Sequence, residues 1–278
     1  MNILEFTLVV GTVSSLAGFL GALTGLGGGT VLVPILTLMF GIDIRYAIGA
    51  SLISVIATSS GAAAAYVKEG FTNIRVGMLL EVATTVGALI GAFLATKLPT
   101  SWIAIVFGMV LLISSYLSSR SHLDKQIDSV PDPIATRLRL NGSYPTPEGQ
   151  QTYFVQHVPL GFSLMMLAGT LSSLLGIGSG AVKVLAMDQA MLLPFKVSTT
   201  TSNFMIGVTA AAGAGVYLNR GYIDPGLSMP VMLGVLLGSA VGARTLIHTN
   251  PSTLRKVFSV IILLLAIQMI VNGITGRI

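Results

Sequence analysis

The sequence predicts an all-α fold: a polytopic bundle of transmembrane helices, made of two homologous, inverted repeats whose helices are broken at glycine-rich motifs. Three observations carry that prediction. Of 278 residues, 53% are hydrophobic and only 9% charged, with a mean hydropathy of +0.86, against roughly 25% charge in soluble domains. The apolar stretches are about 17 to 22 residues long, the length that crosses a hydrocarbon core of about 30 Å at 1.5 Å per residue. Finally, the chain aligns with itself at an offset of 151 residues. Ala17 to Ala92 lies over Ala168 to Ala243 without a gap, with 18 of 76 pairs identical, where glycine-rich membrane sequences match by chance at about a tenth of positions.

The identical pairs include Gly25/Gly176, Gly27/Gly178, Gly29/Gly180, Ser51/Ser202, Tyr66/Tyr217 and Gly87/Gly238, and Arg45 stands opposite Lys196. In the first half, apolar runs predict helices over Ile3 to Leu23, Thr30 to Phe40, Tyr46 to Val67, Val76 to Thr96 and Trp102 to Leu117, and the second half repeats them. The start, Met1-Asn2-Ile3-Leu4-Glu5, has no basic region of the secretory type, so the first run reads as a retained helix. The division is residues 1–117 as first repeat, 118–156 as a polar linker containing Pro131, Pro133, Pro145 and Pro147, and 157–278 as second repeat.

Thr30 to Phe40 is short for a span, and whether it crosses or dips back changes the distribution of charge. If it crosses, ten Lys and Arg fall on one side (Lys68, Arg75, Arg120, Lys125, Arg137, Arg139, Lys196, Arg244, Arg255, Lys256) and four on the other (Arg45, Lys97, Arg220, Arg277). If it dips back the split is eight to six. Cytoplasmic loops concentrate Lys and Arg, so the first arrangement is favoured. It makes the repeats inverted, puts both termini outside a prokaryotic plasma membrane, and leaves the 118–156 linker in the cytoplasm.

The net charge of +5 is therefore a topology signal and gives no indication of nucleic-acid binding. With no cysteine in the chain, disulfides, thiolate metal sites and cysteine nucleophiles are excluded. His122, His157 and His248 form no spaced metal pair. No cofactor is implied, and no nucleophile–base pair points to an enzyme.

Gly25-Leu26-Gly27-Gly28-Gly29-Thr30 and its counterpart Gly176-Ile177-Gly178-Ser179-Gly180-Ala181 each interrupt an apolar run. Glycine at that density breaks helices, and broken backbone at membrane depth must be buried in protein or line a wet cavity. The N–H groups that open the next half-helix suit an anion; close helix packing or a surface turn is the alternative. The same break in both halves points to a midplane site at the repeat interface. Neither motif has the G-x-x-x-x-G-K-[ST] spacing of a phosphate loop.

The stretch GLGGGTVLVPIL at Gly25 to Leu36, with AIGASLIS at Ala47 to Ser54 and their second-half repeats, resembles the sulfite exporter TauE/SafE family over nearly the whole chain. That resemblance implies a permease for sulfite, organosulfonates or related sulfur oxyanions, using the proton gradient. The chain departs from internal symmetry in its second motif, GIGSG, in the absence of a proline opposite Pro34, and in Lys183 opposite Leu32.

Lys183 within an apolar segment needs a partner, because an unpaired ammonium in lipid costs at least roughly 2.5 to 3.5 kcal/mol. A bound anion is favoured; an ion pair with Asp188 or Glu81, or snorkelling to the interface, is the alternative. The run from Ser198 to Asn203 supplies five hydroxyls and an amide, donors suited to sulfonate oxygens, although capping and interhelical bonds would also use them. Glu81, opposite apolar Met232, is a candidate for proton coupling, or else an interfacial partner of Arg75. The predicted substrate site thus comprises Gly27, Gly28, Gly29, Thr30, Ser51, Gly178, Ser179, Gly180, Lys183, Thr200, Thr201, Ser202 and Asn203. The expected partners are a small anion, protons and membrane lipid, and the alternative function is a passive anion channel or a permease for another small anion.

Overall fold

The computed structural model of the chain describes residues 2–24, 29–68, 70–119, 132–146, 149–246 and 251–276. It is a bundle of α-helices. The first half holds α1 (Ile3–Thr24), α2 (Gly29–Phe40), α3 (Ile44–Lys68), α4 (Ile74–Lys97) and α5 (Thr100–Ser119). The second holds α7 (Val158–Leu175), α8 (Gly180–Leu185) continued by a π-helical turn (Ala186–Ala190), α9 (Phe195–Asn219), α10 (Pro225–Leu246) and α11 (Pro251–Thr275). Among the described residues four segments are long and apolar enough to cross a membrane: Leu4–Gly21, Ile74–Lys97, Val158–Leu175 and Pro225–Gly242. The start of α3 falls 151 residues before that of α9, and so do their ends.

Local chemistry fixes the helix ends. The Asn73 side chain accepts from Val76 N and caps α4, which stops at Leu98 before Pro99 with Lys97 in its last turn. Helix α7 opens at a proline and closes on Gly176, whose φ of +69° is the left-handed cap that glycine adopts without a Cβ penalty. Helix α2 carries Pro34 inside it, and at twelve residues it is about 18 Å long, little more than half a hydrocarbon core.

The segment expected as a polar linker is partly built. Residues Pro133–Arg137 form α6, and Gly142–Thr146 (β1) pairs antiparallel with Gly149–Tyr153 (β2), in a register that sets Gly142 opposite Tyr153 and Thr146 opposite Gly149. Ala135, Leu140, Tyr153 and Val155 share a buried cluster with Val76 and Leu80 of α4 and Val158 of α7. This small apolar set, not visible as a periodic pattern, seats the linker on the helix ends.

Four pairings organise the bundle: α1 with α10, α4 with α7, α5 with α11, and α3 with α9. Close backbone approach is what binds the first two. A Cβ at Gly87 would collide with the Met166 carbonyl, one at Gly91 with the Thr170 carbonyl, and one at Gly238 with the Ser15 carbonyl. Small residues permit this in membranes, where no hydrophobic drive separates helix from lipid and packing must supply the attraction. Large apolar side chains face outward instead, among them Leu16, Met78, Val82, Trp102, Leu160 and Leu237.

Contact order along each pair gives its direction. Gly11 meets Pro230 and Ser15 meets Gly238, so α1 and α10 run parallel; Gly87 meets Met166 and Gly91 meets Thr170, so α4 and α7 do too. Gly108 meets Ala266 whereas Gly273 meets Ser101, so α5 and α11 are antiparallel. Helices α3 and α9 are likewise antiparallel: Gly49 lies at Tyr222, Leu52 at Gly213 and Ser59 at Gly207. The short connection from Arg220 to Asp224 turns α10 back along α9, so α10, and with it α1, runs parallel to α3. Helix α2 therefore carries the chain back toward the side on which α1 began, consistent with the ring contact of Phe6 with Phe40, 6.2 Å between centroids.

Two polar faces result. One gathers Arg75, Lys196, the hairpin and α6, with the Lys196 Nζ 3.8 Å from the Phe71 ring centroid. On the other, Arg45 donates to the carbonyls of Ala95 (3.1 Å) and Leu98 (2.8 Å) and lies over the Tyr222 ring.

Candidate functional site

The second glycine motif is a buried non-helical turn. Gly176 and Gly178 have φ of +69° and +70°, and between them and α8 sits Ser179, a non-glycine residue at φ +45°. Every residue from Gly176 to Gly180 is buried. Of the first motif, Gly29 and Thr30 lie in α2 and are buried, whereas Gly27 and Gly28 lie outside the described residues. A Cβ at Gly29 would collide with the Gly176 carbonyl and stand 2.6 Å from Ser51 Oγ. The Ser51 hydroxyl in turn donates to the Gly176 carbonyl at 2.7 Å. The second break thus packs against the start of α2, with a hydroxyl of α3 satisfying one of its carbonyls. The Ser179 hydroxyl is buried without a hydrogen-bond partner, an uncommon condition for a buried polar atom.

Lys183 is fully buried, and its ammonium donates to Thr209 Oγ1 at 2.6 Å. The Thr209 hydroxyl lies 2.8 Å from Glu81 Oε1 and 3.2 Å from Thr84 Oγ1, and Thr85 Oγ1 is within 3.3 Å of the same carboxylate oxygen. Glu81 Oε2 is buried and unpartnered. A cation on α8 and a carboxylate on α4 are therefore joined through one hydroxyl on α9. Thr209 lies about 21 Å along a helix of about 37 Å, so the junction is near the middle of α9. Of the partners considered for Lys183 from sequence, Glu81 is the carboxylate it approaches; Asp188 accepts instead from Gln189 at 2.8 Å.

The hydroxyl run divides. Thr199 and Thr200 return their hydroxyls to the carbonyls of Phe195 (2.9 Å) and Lys196 (3.0 Å), within their own helix. Thr201 Oγ1 accepts from the Asn73 backbone at 3.0 Å, on the linker face. Ser202 donates to the Gly180 carbonyl at 3.3 Å and so reaches the break, while Asn203 is half-buried. The residues the fold gathers about the break are Gly29, Ser51, Gly178, Ser179, Gly180 and Ser202, with Lys183 beginning the path to Glu81. Thr200 and Thr201 stand apart from them.

Sequence reading missed Thr209. It aligns with Thr58 at the repeat offset, the one available signal. It also missed Tyr217, fully buried with its hydroxyl donating to the Ser173 carbonyl at 2.9 Å. Among the described residues no group of His, Asp and Glu is placed to hold a metal.

The family model described as "Sulfite exporter TauE/SafE" matches residues 10–269. The chain is 26% identical over 268 residues to the "Probable membrane transporter protein YunE" of Bacillus subtilis (strain 168), covering 93% of this chain and 95% of that protein. It is 27% identical over 239 residues to the "Probable membrane transporter protein YdhB" of the same organism, covering 85% and 87%. With the "Probable membrane transporter protein MJ0441" of Methanocaldococcus jannaschii it shares 24% over 283 residues, covering 96% of each. No solved structure matches.

Proposed function

The chain belongs to the sulfite exporter TauE/SafE family and is a multi-pass membrane transporter, and on that premise we propose that it carries a small sulfur oxyanion, sulfite or an organosulfonate, as a proton-coupled secondary transporter. The observation that carries this reading is the buried break at Gly176 to Gly180: it abuts the start of α2, holds an unpartnered Ser179 hydroxyl, and leads three residues on to the fully buried Lys183. A cation and spare hydroxyl donors in a low-dielectric interior suit an oxyanion. The break lies between the two halves of the chain, where both contribute to its walls.

The antiparallel course of α3 against α9 and of α5 against α11 supports two inverted repeats, 1–117 and 157–278, joined by the 118–156 linker. In that arrangement the halves rock about a fixed midplane site. The excess of Lys and Arg on the linker face supports a cytoplasmic linker and external termini in a prokaryotic plasma membrane, and the relatives come from bacteria and an archaeon. Glu81 is the residue proposed to load and release the proton.

Uptake of radiolabelled sulfite and of a short organosulfonate into proteoliposomes, with a pH gradient imposed or collapsed, tests the proposal. Saturable, gradient-sensitive flux that falls in Lys183→Ala is the expected result. Flux indifferent to Lys183→Ala removes this site, and flux that never saturates turns the reading to a passive anion channel.

A further inference from the structure

The Lys183–Thr209–Glu81 junction has a charge balance that constrains transport. Lys183 is fully buried and Glu81 is 9% exposed, and among the described residues the elements packed around them bring no further buried charge to the junction. Helix α7, seated on α4, carries no ionisable side chain between Val158 and Leu175. Of the ionisable side chains of α9, Lys196 is exposed at the helix start against Phe71, and Tyr217 is a buried phenol that donates to the Ser173 carbonyl. Asp188 of the π turn is engaged by Gln189, and Arg45 of α3 is held at the opposite face by Ala95 and Leu98. On the same helix as Glu81, Thr84 and Thr85 contribute hydroxyls, and Arg75 points to the Arg139 carbonyl at 3.2 Å.

One ammonium and one carboxylate thus neutralise each other in the interior, through Thr209. A monoanion that draws on Lys183 adds a second negative charge to a low-dielectric site, a state strongly disfavoured unless one negative charge is removed. We infer that the oxyanion and the Glu81 carboxylate are alternative counter-charges for Lys183, so that each monoanion is carried together with one proton bound to Glu81. This deepens the oxyanion reading above and rests on it.

The geometry supplies the parts. Oε2 of Glu81, buried and unpartnered, accepts the proton without disturbing the Thr209 bond to Oε1. The ammonium has three donors; one is directed to Thr209, and in this inference the other two are those that the anion takes up. The proton comes from the aqueous side to which the site is open, stays on Glu81 during the conformational change, and leaves with the anion on the far side. Nothing is oxidised or reduced. Thr209 acts as a positioning residue that keeps the two charges within reach of each other.

Proteoliposomes holding the full chain and an internal pH dye test this with radiolabelled sulfite and methanesulfonate. In the wild type each methanesulfonate moved should bring one proton with it. Glu81→Gln should abolish the accompanying proton and flatten the pH dependence of anion exchange. Thr209→Val, a second variant of unchanged volume class, should lower the proton count per anion, and Thr209→Ser should restore it. A count of one proton per anion in both Glu81→Gln and Thr209→Val overturns the inference and leaves the oxyanion reading standing. A wild-type protein that moves neither anion overturns both.

Discussion

Ser51 of α3 donates its hydroxyl to the carbonyl of Gly176, 125 residues away, at 2.7 Å, whereas its repeat counterpart Ser202 bonds to Gly180 within its own half at 3.3 Å. The first bond crosses between the halves and satisfies a buried carbonyl in irregular backbone. Ser51→Ala leaves that carbonyl orphaned, at about 1–3 kcal/mol. Ser202→Ala loses a longer bond to a carbonyl at the start of a helix. Thermal unfolding in detergent should therefore show Ser51→Ala less stable than Ser202→Ala; equal melting temperatures would count against a special role for the cross-half bond.

Glycine in this bundle serves backbone approach at particular positions. A Cβ at Gly87 would strike the Met166 carbonyl, whereas one at Gly215 meets nothing within 4 Å. Gly87→Ala should destabilise by roughly 1–3 kcal/mol through forced separation of α4 and α7. Gly215→Ala should be neutral or stabilising by up to about 1 kcal/mol, from helix propensity alone. The pair is checked by fluorescence-detected thermal melts of the two variants side by side.

Asn73 joins the linker to the bundle. Its side chain caps α4, and its amide donates to the Leu140 carbonyl and to Tyr153 Oη, both at 2.8 Å. Asn73→Ala should cost about 1 kcal/mol for the cap, with more from the two further bonds. It should also raise hydrogen exchange across Gly142 to Tyr153. No change in hairpin protection would show that the apolar cluster alone holds the linker.

Burial pushes the Tyr153 phenol above its ordinary value, opposed in part by the Asn73 bond. The unfolded chain titrates this group near pH 10, so its linkage contribution is constant below that pH and is lost as pH rises toward the higher folded value. Hairpin protection should be flat from neutral pH to about 10 and then decline, and Tyr153→Phe should remove that decline.

Much of the helix scaffold was legible because lipid imposes length and composition together. Helix α3, expected over Tyr46 to Val67, runs from Ile44 to Lys68, and α4, expected over Val76 to Thr96, runs from Ile74 to Lys97. The repeat offset carried the same reading into α9. It carried less well into the second short segment, where loss of the Pro34 equivalent and arrival of Lys183 accompany a helix that widens into a π turn after Leu185. The hairpin was not legible: Gly-Gln-Gln-Thr-Tyr is polar without alternation, and Pro145 inside β1 argues against a strand.

At the candidate site, the sequence distinguished Lys183 and Glu81 as charges out of place in apolar runs. What it lacked was the hydroxyl between them. Thr209 is 128 residues from Glu81 in sequence, and a single threonine in a transmembrane helix normally back-bonds to its own carbonyls, as Thr209 also does to Met205 at 3.1 Å. The Ser198 to Asn203 cluster divides in a way that composition does not show: Thr199 and Thr200 bond within α9, Ser198 bonds to the Leu193 carbonyl, Thr201 accepts from Asn73, and Ser202 reaches the break.

Equilibrium binding of radiolabelled sulfite and methanesulfonate to the purified protein, wild type against Lys183→Met and Ser179→Ala, asks whether the anion is held by Lys183 and the break, since it separates the site from the transport cycle. Saturable binding to the wild type is expected, weakened about 10- to 100-fold in Lys183→Met, the equivalent of one charge-assisted hydrogen bond of about 1.5–3 kcal/mol, and less in Ser179→Ala. Undiminished affinity in a folded Lys183→Met protein would contradict it and place the anion elsewhere in the bundle.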